Sequence, residues 1–130
     1  MSMESNITGE AHFFAGEDKL LSYEIFAAGS TSLMENVSAF SLRWELRRWG
    51  PRGASVLVKS TAGSGGITIT GIYNSAQAVN TQRVIVSIAD IDTDSLAAGR
   101  YACALKRMDD GLEAVLSHGQ VDLLVSAVRQ

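Results

Sequence analysis

The segment from Phe40 to Arg47 alternates apolar and polar side chains without a break. Its apolar members are Phe40, Leu42, Trp44 and Leu46, and its polar members are Ser41, Arg43, Glu45 and Arg47. Successive side chains of a β-strand point to opposite faces of a sheet, so this period of two predicts a strand with one buried face and one face toward solvent or a partner. The chain is therefore expected to fold around sheets rather than helices.

The same alternation returns along most of the chain, in short segments separated by turn residues. The predicted strands cover residues 19–27, 54–61, 67–72, 83–88, 100–107, 112–117 and 121–128. Several carry branched or aromatic side chains on one parity, which suits a half-buried sheet. Short strands at this spacing predict an all-β protein of two packed sheets. Residues 1–15 are assigned to an N-terminal arm and residues 16–130 to the sandwich domain.

Three of the predicted connections have recognisable turn or cap residues. Thr93 or Asp94 can cap a short helical turn near residues 93–98, and Gly99 can end it in a left-handed conformation. The glycine-rich residues 62–66 are interpreted as the loop of a hairpin between the strands on either side. The Asp110-Gly111 pair predicts a second hairpin turn, after the strand at 100–107.

Length and composition limit the class of protein. The chain has 130 residues, of which 46% are hydrophobic and 19% charged, which fits one compact domain. Its net charge of -3 does not favour nucleic acid as a partner. No apolar run reaches the roughly 18 residues that a membrane span needs, and the first residues do not resemble a signal peptide. We expect a protein made in a cytoplasm, with no membrane partner.

Few residues are of the kinds that carry chemistry. Cys103 is the single cysteine and shares the parity of Tyr101 and Leu105, so it is predicted to be a buried, unreactive thiol. The two histidines, His12 and His118, belong to no recognisable nucleophile motif or zinc-binding spacing. We therefore expect a protein that is not an enzyme and that uses no cofactor.

Asp90, Asp92 and Asp94 have the alternating spacing of a calcium loop. Such a loop needs a glycine at its sixth position and a glutamate at its twelfth, where this chain has Ser95 and Tyr101. The three carboxylates are therefore interpreted as turn and helix-cap residues, and no metal site is expected.

The chain has one concentration of basic and aromatic side chains, and it is the candidate functional site. Its members are Arg43, Arg47, Arg48, Trp49 and Arg52. Arg43 and Arg47 lie on the outward parity of their strand, so a solvated face with cross-strand ion pairs is one interpretation. A protein interface is the other, because Trp and Arg are enriched where a few side chains dominate association. Trp49 follows the point where the alternation ends and is the residue most expected to face a partner.

An ordered set of motifs carries a resemblance to a known family. The motifs are the opening Gly16-Glu17-Asp18-Lys19-Leu20-Leu21, the Leu42-Arg43-Trp44-Glu45-Leu46-Arg47-Arg48 strand, Leu96-Ala97-Ala98-Gly99-Arg100-Tyr101, Asp109-Asp110-Gly111, and the segment from Val115 to Leu123. In this order, over about residues 16–128, the chain resembles small immunoglobulin-like phage virion proteins, similar to the N-terminal domain of siphophage baseplate upper proteins.

The resemblance implies a fold and a role. The fold is an immunoglobulin-like antiparallel β-sandwich of about 7–9 strands. The role is that of a bacteriophage virion structural protein, made in the bacterial host cytoplasm and located in the virion. No coiled-coil or fibre-like segment follows the last predicted strand, so we expect a small accessory subunit that decorates a capsid or associates with a tail.

The implied partners are a major capsid or tail protein and copies of the chain itself. Contact is expected through the outward strand face, the Trp49 turn and the N-terminal arm, which ends in the adjacent aromatics Phe13 and Phe14. The alternative is a carbohydrate-binding or adhesion module, in which Trp49, Tyr73 or Trp44 would stack against a sugar.

Overall fold

The computed structural model describes residues 12–14, 16, 18–27, 29–30, 32–50 and 53–124. They form eight strands: β1 His12–Phe14, β2 Lys19–Tyr23, β3 Leu42–Arg48, β4 Ser55–Ser60, β5 Ile67–Thr70, β6 Arg83–Ile88, β7 Gly99–Arg107 and β8 Ala114–Leu124. Two short helices lie in the connections, a 3-10 helix at Gln77–Val79 and α1 at Asp90–Thr93. The expectation of an all-β protein is confirmed.

The strands form two sheets. One has five strands in the order β1-β8-β7-β3-β4, and the other has three in the order β2-β6-β5. Every pair is antiparallel except β1 with β8, in which His12 to Phe14 run parallel to Asp122 to Leu124. The end of β8 is therefore paired on both sides, by β7 and by β1.

This strand order is that of an immunoglobulin-like sandwich. The neighbours β8, β7, β3 and β4 correspond to strands G, F, C and C′ of a variable-type domain, and β2, β6 and β5 correspond to B, E and D. The start of β7 also has the tyrosine corner of such domains, because the hydroxyl of Tyr101 donates to the carbonyl of Ala97 at 2.6 Å. The topology and this hydrogen bond together establish the fold class.

The core lies between the two sheets and is centred on Trp44. The indole is fully buried, and its Nε1 donates across the core to the hydroxyl of Tyr23 on the opposite sheet at 3.0 Å. A buried indole N–H needs a partner, and this bond supplies one without introducing a charge. The position that pairs with a second cysteine in antibody domains is taken by Cys103, which is buried as a free thiol.

The predicted inward parities are confirmed in four strands. The buried residues include Leu21, Tyr23, Leu42, Trp44, Leu46, Val84, Val86, Ile88, Tyr101, Cys103 and Leu105. One outward position breaks the pattern, because Glu45 is only 3% exposed. The reason for its burial lies in the neighbouring cations and is given with the candidate site.

Two local predictions need correction. The helical turn expected near residues 93–98 lies earlier, at Asp90–Thr93, where the carboxylate of Asp92 accepts the N–H of Ala89 at 2.7 Å. Thr93 is not the cap residue that we expected: it is buried, and its hydroxyl accepts the N–H of Gly16.

The hairpin expected across residues 62–66 is also absent, because β4 belongs to the five-stranded sheet and β5 to the three-stranded sheet. The glycine-rich loop instead carries the chain from one sheet to the other.

The last strand is longer than predicted. Segments 112–117 and 121–128 were expected as separate strands, but β8 runs without interruption from Ala114 to Leu124. A register shift opposite Leu105 and Lys106 accommodates its length. The predicted arm falls partly on residues 12–14, which form β1, while residues 1–11, 15 and 125–130 lie outside the described part of the chain.

The sheet edge formed by β4 has only one charged residue, Lys59. Its ammonium lies 2.6 Å from the carboxylate of Asp92 in α1, and both side chains are largely buried. The ion pair joins the five-stranded sheet to the connection that follows β6. At the end of β4 the N–H of Ser60 donates to the carbonyl of Gly65, so the glycine-rich loop covers that end of the edge.

Candidate functional site

The candidate site lies on the outer face of the five-stranded sheet. The outward residues of β3 pair with those of β7, with Arg43 opposite Lys106, Glu45 opposite Ala104 and Arg47 opposite Ala102. Beyond β7, Ala104 lies opposite His118 and Ala102 opposite Gln120 of β8. Two alanines in the middle strand leave a shallow floor between longer side chains on either side.

Glu45 is buried because three cations and a hydroxyl surround its carboxylate. Arg47 approaches Oε1 at 2.9 Å, and the Ser55 hydroxyl donates to the same oxygen at 2.6 Å. Lys106 Nζ lies 3.0 Å from Oε2 and Arg43 Nε lies 3.3 Å from it. The Arg43 contact is an ion pair without a hydrogen bond, since this Nε makes none in the structure.

These contacts hold Glu45 in its charged form. Burial alone would raise its pKa, but the hydrogen bonds from Ser55 and Lys106 and the charges of Lys106 and Arg47 outweigh burial and lower the pKa to about 2. One negative charge is shared by three positive ones, so the cluster keeps a positive excess. The carboxylate also fixes the positions of Arg47 and Lys106 on the surface.

Trp49 lies just beyond the end of β3 with 54% of its surface exposed. The guanidinium of Arg100, at the start of β7, lies 5.5 Å from the centre of the indole ring. Arg100 also makes a longer ion pair, at 3.7 Å, with Asp122 of β8. Cation and ring attract each other at this distance, so the exposed indole is held in place by its neighbour.

Open grooves meet at Trp49. One, of about 420 Å³, runs over the alanine floor and is bordered by Arg47, His118 and Gln120. A second, of about 640 Å³, lies between Trp49 and the end of β8 at residues 122–124. A third, of about 270 Å³, follows the turn before β7. Trp49 is the side chain that all three share, which makes it the centre of the site.

Three of the seven predicted site residues have side chains that the structure places at this end of the sheet. Arg47, Arg48 and Trp49 are exposed there, while Arg43 lies further along β3 toward the other end. The β1 backbone at Phe13 and Phe14 pairs with Leu123 and Leu124, so it borders the same end, but the side chains of these two residues lie outside the described part. Arg52 also lies outside it.

Two contributions to the site were missed from the sequence. Arg100 was not assigned to it, because its contact with Trp49 depends on the pairing of β3 with β7, which the sequence does not show. The sequence shows Glu45 only as a charge between two arginines. Its outward parity, with arginines two positions away on both sides, was the available signal, but Lys106 is distant in sequence and completes the cluster only through the fold.

The aromatic residues proposed for sugar binding differ in accessibility. Trp44 is buried in the core, and Tyr73 is half-buried with its hydroxyl donating to the carbonyl of Met34. Trp49 is exposed but has Arg100 over its ring. Of the three side chains, only that of Trp49 has an exposed aromatic ring.

Two side chains with nucleophilic or metal-binding chemistry, Cys103 and Asp92, are buried or already bonded. Burial raises the pKa of the Cys103 thiol to about 11, in agreement with an unreactive cysteine. Asp92 is bonded to Lys59 and to the N–H of Ala89. Within the described ranges no cluster of three or more His, Cys, Asp or Glu residues could hold a metal ion. The helices of the same ranges are too short or too polar to cross a membrane.

Comparison with known proteins gives likenesses to solved structures only. No family model matches the sequence, and no curated protein matches it. The structure is similar to the RIG-5 IG1 homodimer, with 10% identity, a TM-score of 0.40 and coverage of 96% of each chain. It is also similar to the Lin-41 filamin domain, with 10% identity, a TM-score of 0.44 and coverage of 94% of this chain and 93% of that one. The resemblance to phage virion proteins therefore rests on the sequence motifs alone.

Proposed function

We propose that this protein is a non-enzymatic interaction module that binds another protein through the Trp49 end of its five-stranded sheet. The observation that supports this proposal is the exposed indole of Trp49 at the junction of three grooves. Trp and Arg are the residues that most often dominate protein association. Here Arg100 lies over the ring, and Arg47 and Arg48 line the grooves beside it.

Two charged side chains of this surface, Arg47 and Arg100, are already held in place before a partner binds. Glu45 fixes Arg47, and Trp49 holds Arg100 by the cation–ring contact. Long basic side chains lose much conformational freedom when they bind, and part of that loss has already occurred in the folded protein. The alanine floor of the groove adds apolar area that a partner can cover.

The sequence motifs support a finer form of the proposal, in which the partner is a major capsid or tail protein of a bacteriophage particle. The chain would be a small accessory subunit located in the virion. Each copy would make a modest contact, and many copies on one particle would add up to a stable shell or tube. This cementing role needs no catalytic group and no cofactor.

Association with purified particles tests the proposal. Phage particles are purified on a density gradient from lysed cells that carry the gene for this protein. The protein is then assayed in the particle fraction. Trp49→Ala is expected to reduce retention on the particles by about tenfold or more, because a central interface tryptophan is removed. Leu20→Ala is the matched control, since Leu20 is an exposed apolar residue on the opposite sheet.

The two variants separate the outcomes. Loss of retention with Trp49→Ala but not with Leu20→Ala, at unchanged thermal stability, supports the proposal. Absence of the wild-type protein from the particles contradicts the virion role. Equal retention of both variants contradicts the site. Binding of a glycan by the wild-type monomer, abolished by Trp49→Ala, would instead support the adhesion module.

A further inference from the structure

The end of the five-stranded sheet opposite Trp49 exposes apolar and acidic side chains, whereas the Trp49 end exposes basic ones. There the β7–β8 hairpin exposes Met108, Leu112 and, next to it in β8, Val115, with Leu112 56% exposed. Two exposed acidic residues, Asp110 and Glu113, stand beside them. The hairpin tip is therefore an apolar projection flanked by carboxylates.

The charges at this tip are available to a partner. Asp109 is already bonded, since its carboxylate contacts Arg107 at 2.8 Å and accepts the N–H of Ser41 at 3.0 Å. In the part of the chain that the structure describes, no ion pair involves Asp110 or Glu113. Two carboxylates at the tip thus lack the counter-charge that Asp109 has.

The Trp49 end presents the opposite arrangement. Arg47 borders the groove over the alanine floor, and Arg48 and Arg100 border the neighbouring groove on the other side of Trp49. One of the nearby acidic groups, Glu45, is shared among three cations. Arg48 has no ion pair within the described ranges. The exposed side chain of Leu112 can pack against the alanine floor of another molecule. Asp110 and Glu113 can then form ion pairs with the guanidinium groups beside that molecule's Trp49.

We infer that copies of this chain associate head to tail, with the β7–β8 hairpin of one copy seated on the Trp49 end of the next. This inference rests on the proposed function and names a second copy as an occupant of the same site. The two surfaces lie at opposite ends of β7, about 25 Å apart at roughly 3.3 Å per residue, so one copy cannot satisfy its own site. A contact between two different patches continues from copy to copy and gives a ring or a filament rather than a closed pair.

Two double variants remove one half of the contact each. The site variant combines Arg48→Glu with Trp49→Ala, and the hairpin variant combines Asp110→Lys with Leu112→Ala. The control combines Asp90→Lys with Ile91→Ala, which makes the same changes to an exposed acidic and apolar pair elsewhere. Circular dichroism and thermal melting establish that each variant is folded.

Sedimentation velocity over a range of protein concentrations measures the association. The wild type and the control are expected to grow in mass with concentration, and to do so less at high salt because the contact includes ion pairs. Each double variant alone is expected to remain monomeric, with its dissociation constant raised about tenfold or more. An equimolar mixture of the two variants is expected to form dimers and nothing larger, because one variant keeps the hairpin and the other keeps the site.

Other outcomes overturn the inference. A wild type that stays monomeric up to millimolar concentration contradicts it, and so does a hairpin variant that associates as the wild type does. A mixture that forms no dimers, or that forms long assemblies, contradicts the head-to-tail arrangement. If self-association fails while retention on particles still depends on Trp49, the proposed function stands and the second copy is excluded as the occupant.

Discussion

The carboxylate of Glu45 lies beneath Arg43, Arg47 and Lys106, and its ionisation is tied to the folded state. Its pKa is about 2 in the folded protein, against about 4.3 for a glutamate in an unfolded chain. A lowered pKa adds stability that is fully present above the unfolded value and is lost as the pH falls toward the folded one. The window of this contribution therefore lies between about pH 4.3 and about pH 2.

Replacement of Glu45 by glutamine is expected to lower the free energy of unfolding by about 2 kcal/mol at pH 7, because three cations lose their common counter-charge. As the pH falls through the window, the wild type becomes neutral at this position and the difference between the two proteins should shrink toward zero. Urea unfolding at pH 7 and at stepwise lower pH measures both effects.

The control for Glu45 is Asp122→Asn, which breaks the longer ion pair with Arg100. The Arg100 and Asp122 side chains are both about half exposed, so the free energy of unfolding is expected to change by less than about 0.5 kcal/mol at pH 7. A difference between Glu45→Gln and wild type that stays constant down to the lowest pH would show that the charge of Glu45 does not stabilise the fold.

At the scale of strands and connections, most of the correct predictions depend on the alternation of apolar and polar residues. It predicted the inward residues of β2, β3, β6 and β7 correctly, since parity is a property of each strand by itself. It could not show which sheet a strand joins. The hairpin predicted from β4 to β5 is wrong, because a glycine-rich loop between two strands looks the same in a sequence whether the second strand pairs with the first or crosses to the other sheet.

The candidate site was predictable to a similar extent. Trp49 was identified because it follows the end of the alternation, and the structure places it in the open. The contacts of Arg100 with Trp49 and of Lys106 with Glu45 were not predictable, because both bring β7 residues against the neighbourhood of β3. Contacts of this kind depend on strand register, which a single sequence does not determine.

Gly71 follows β5 and shows how a turn limits the choice of residue. Its φ is +81°, and a Cβ at this position would collide with the backbone of Thr81 and Gln82. Gly63, in the loop between β4 and β5, also has a positive φ, of +54°, but a Cβ there would meet no atom within 4 Å. The two glycines separate backbone strain from steric collision.

Gly71→Ala is expected to lower the free energy of unfolding by about 3 kcal/mol or more, because strain and collision act together. Gly63→Ala should cost only about 1 kcal/mol, from the strain of a left-handed alanine. Chemical denaturation of both variants gives the comparison. Equal losses would mean that the backbone near Thr81 moves away without cost.

At the scale of the whole molecule, the strand order predicts which parts open last. β7 lies between β3 and β8, and β6 lies between β2 and β5, so each is paired on both sides. β4 and β5 are sheet edges in the described part of the chain. Amides that are hydrogen-bonded at the centre of a sheet exchange only when a large part of the fold opens.

Hydrogen exchange should therefore show the strongest protection in β6 and β7 and weaker protection in β4 and β5. NMR or mass spectrometry with peptide resolution measures this difference, and the amides of residues 62–64 in the loop after β4 serve as an internal reference for fast exchange. Protection in β4 equal to that in β7 would indicate that the β4 edge is covered in solution, as it would be by a strand of another molecule.

The Lys59–Asp92 ion pair has a consequence for the behaviour of the protein at high concentration. Charged side chains on an edge strand normally act as gatekeepers against aggregation, because they repel or hydrate an incoming strand. The ammonium of Lys59 is neutralised by Asp92 and largely buried, so the one charge of β4 does not serve in this way. Misassembly into extended sheets is therefore expected to begin along β4.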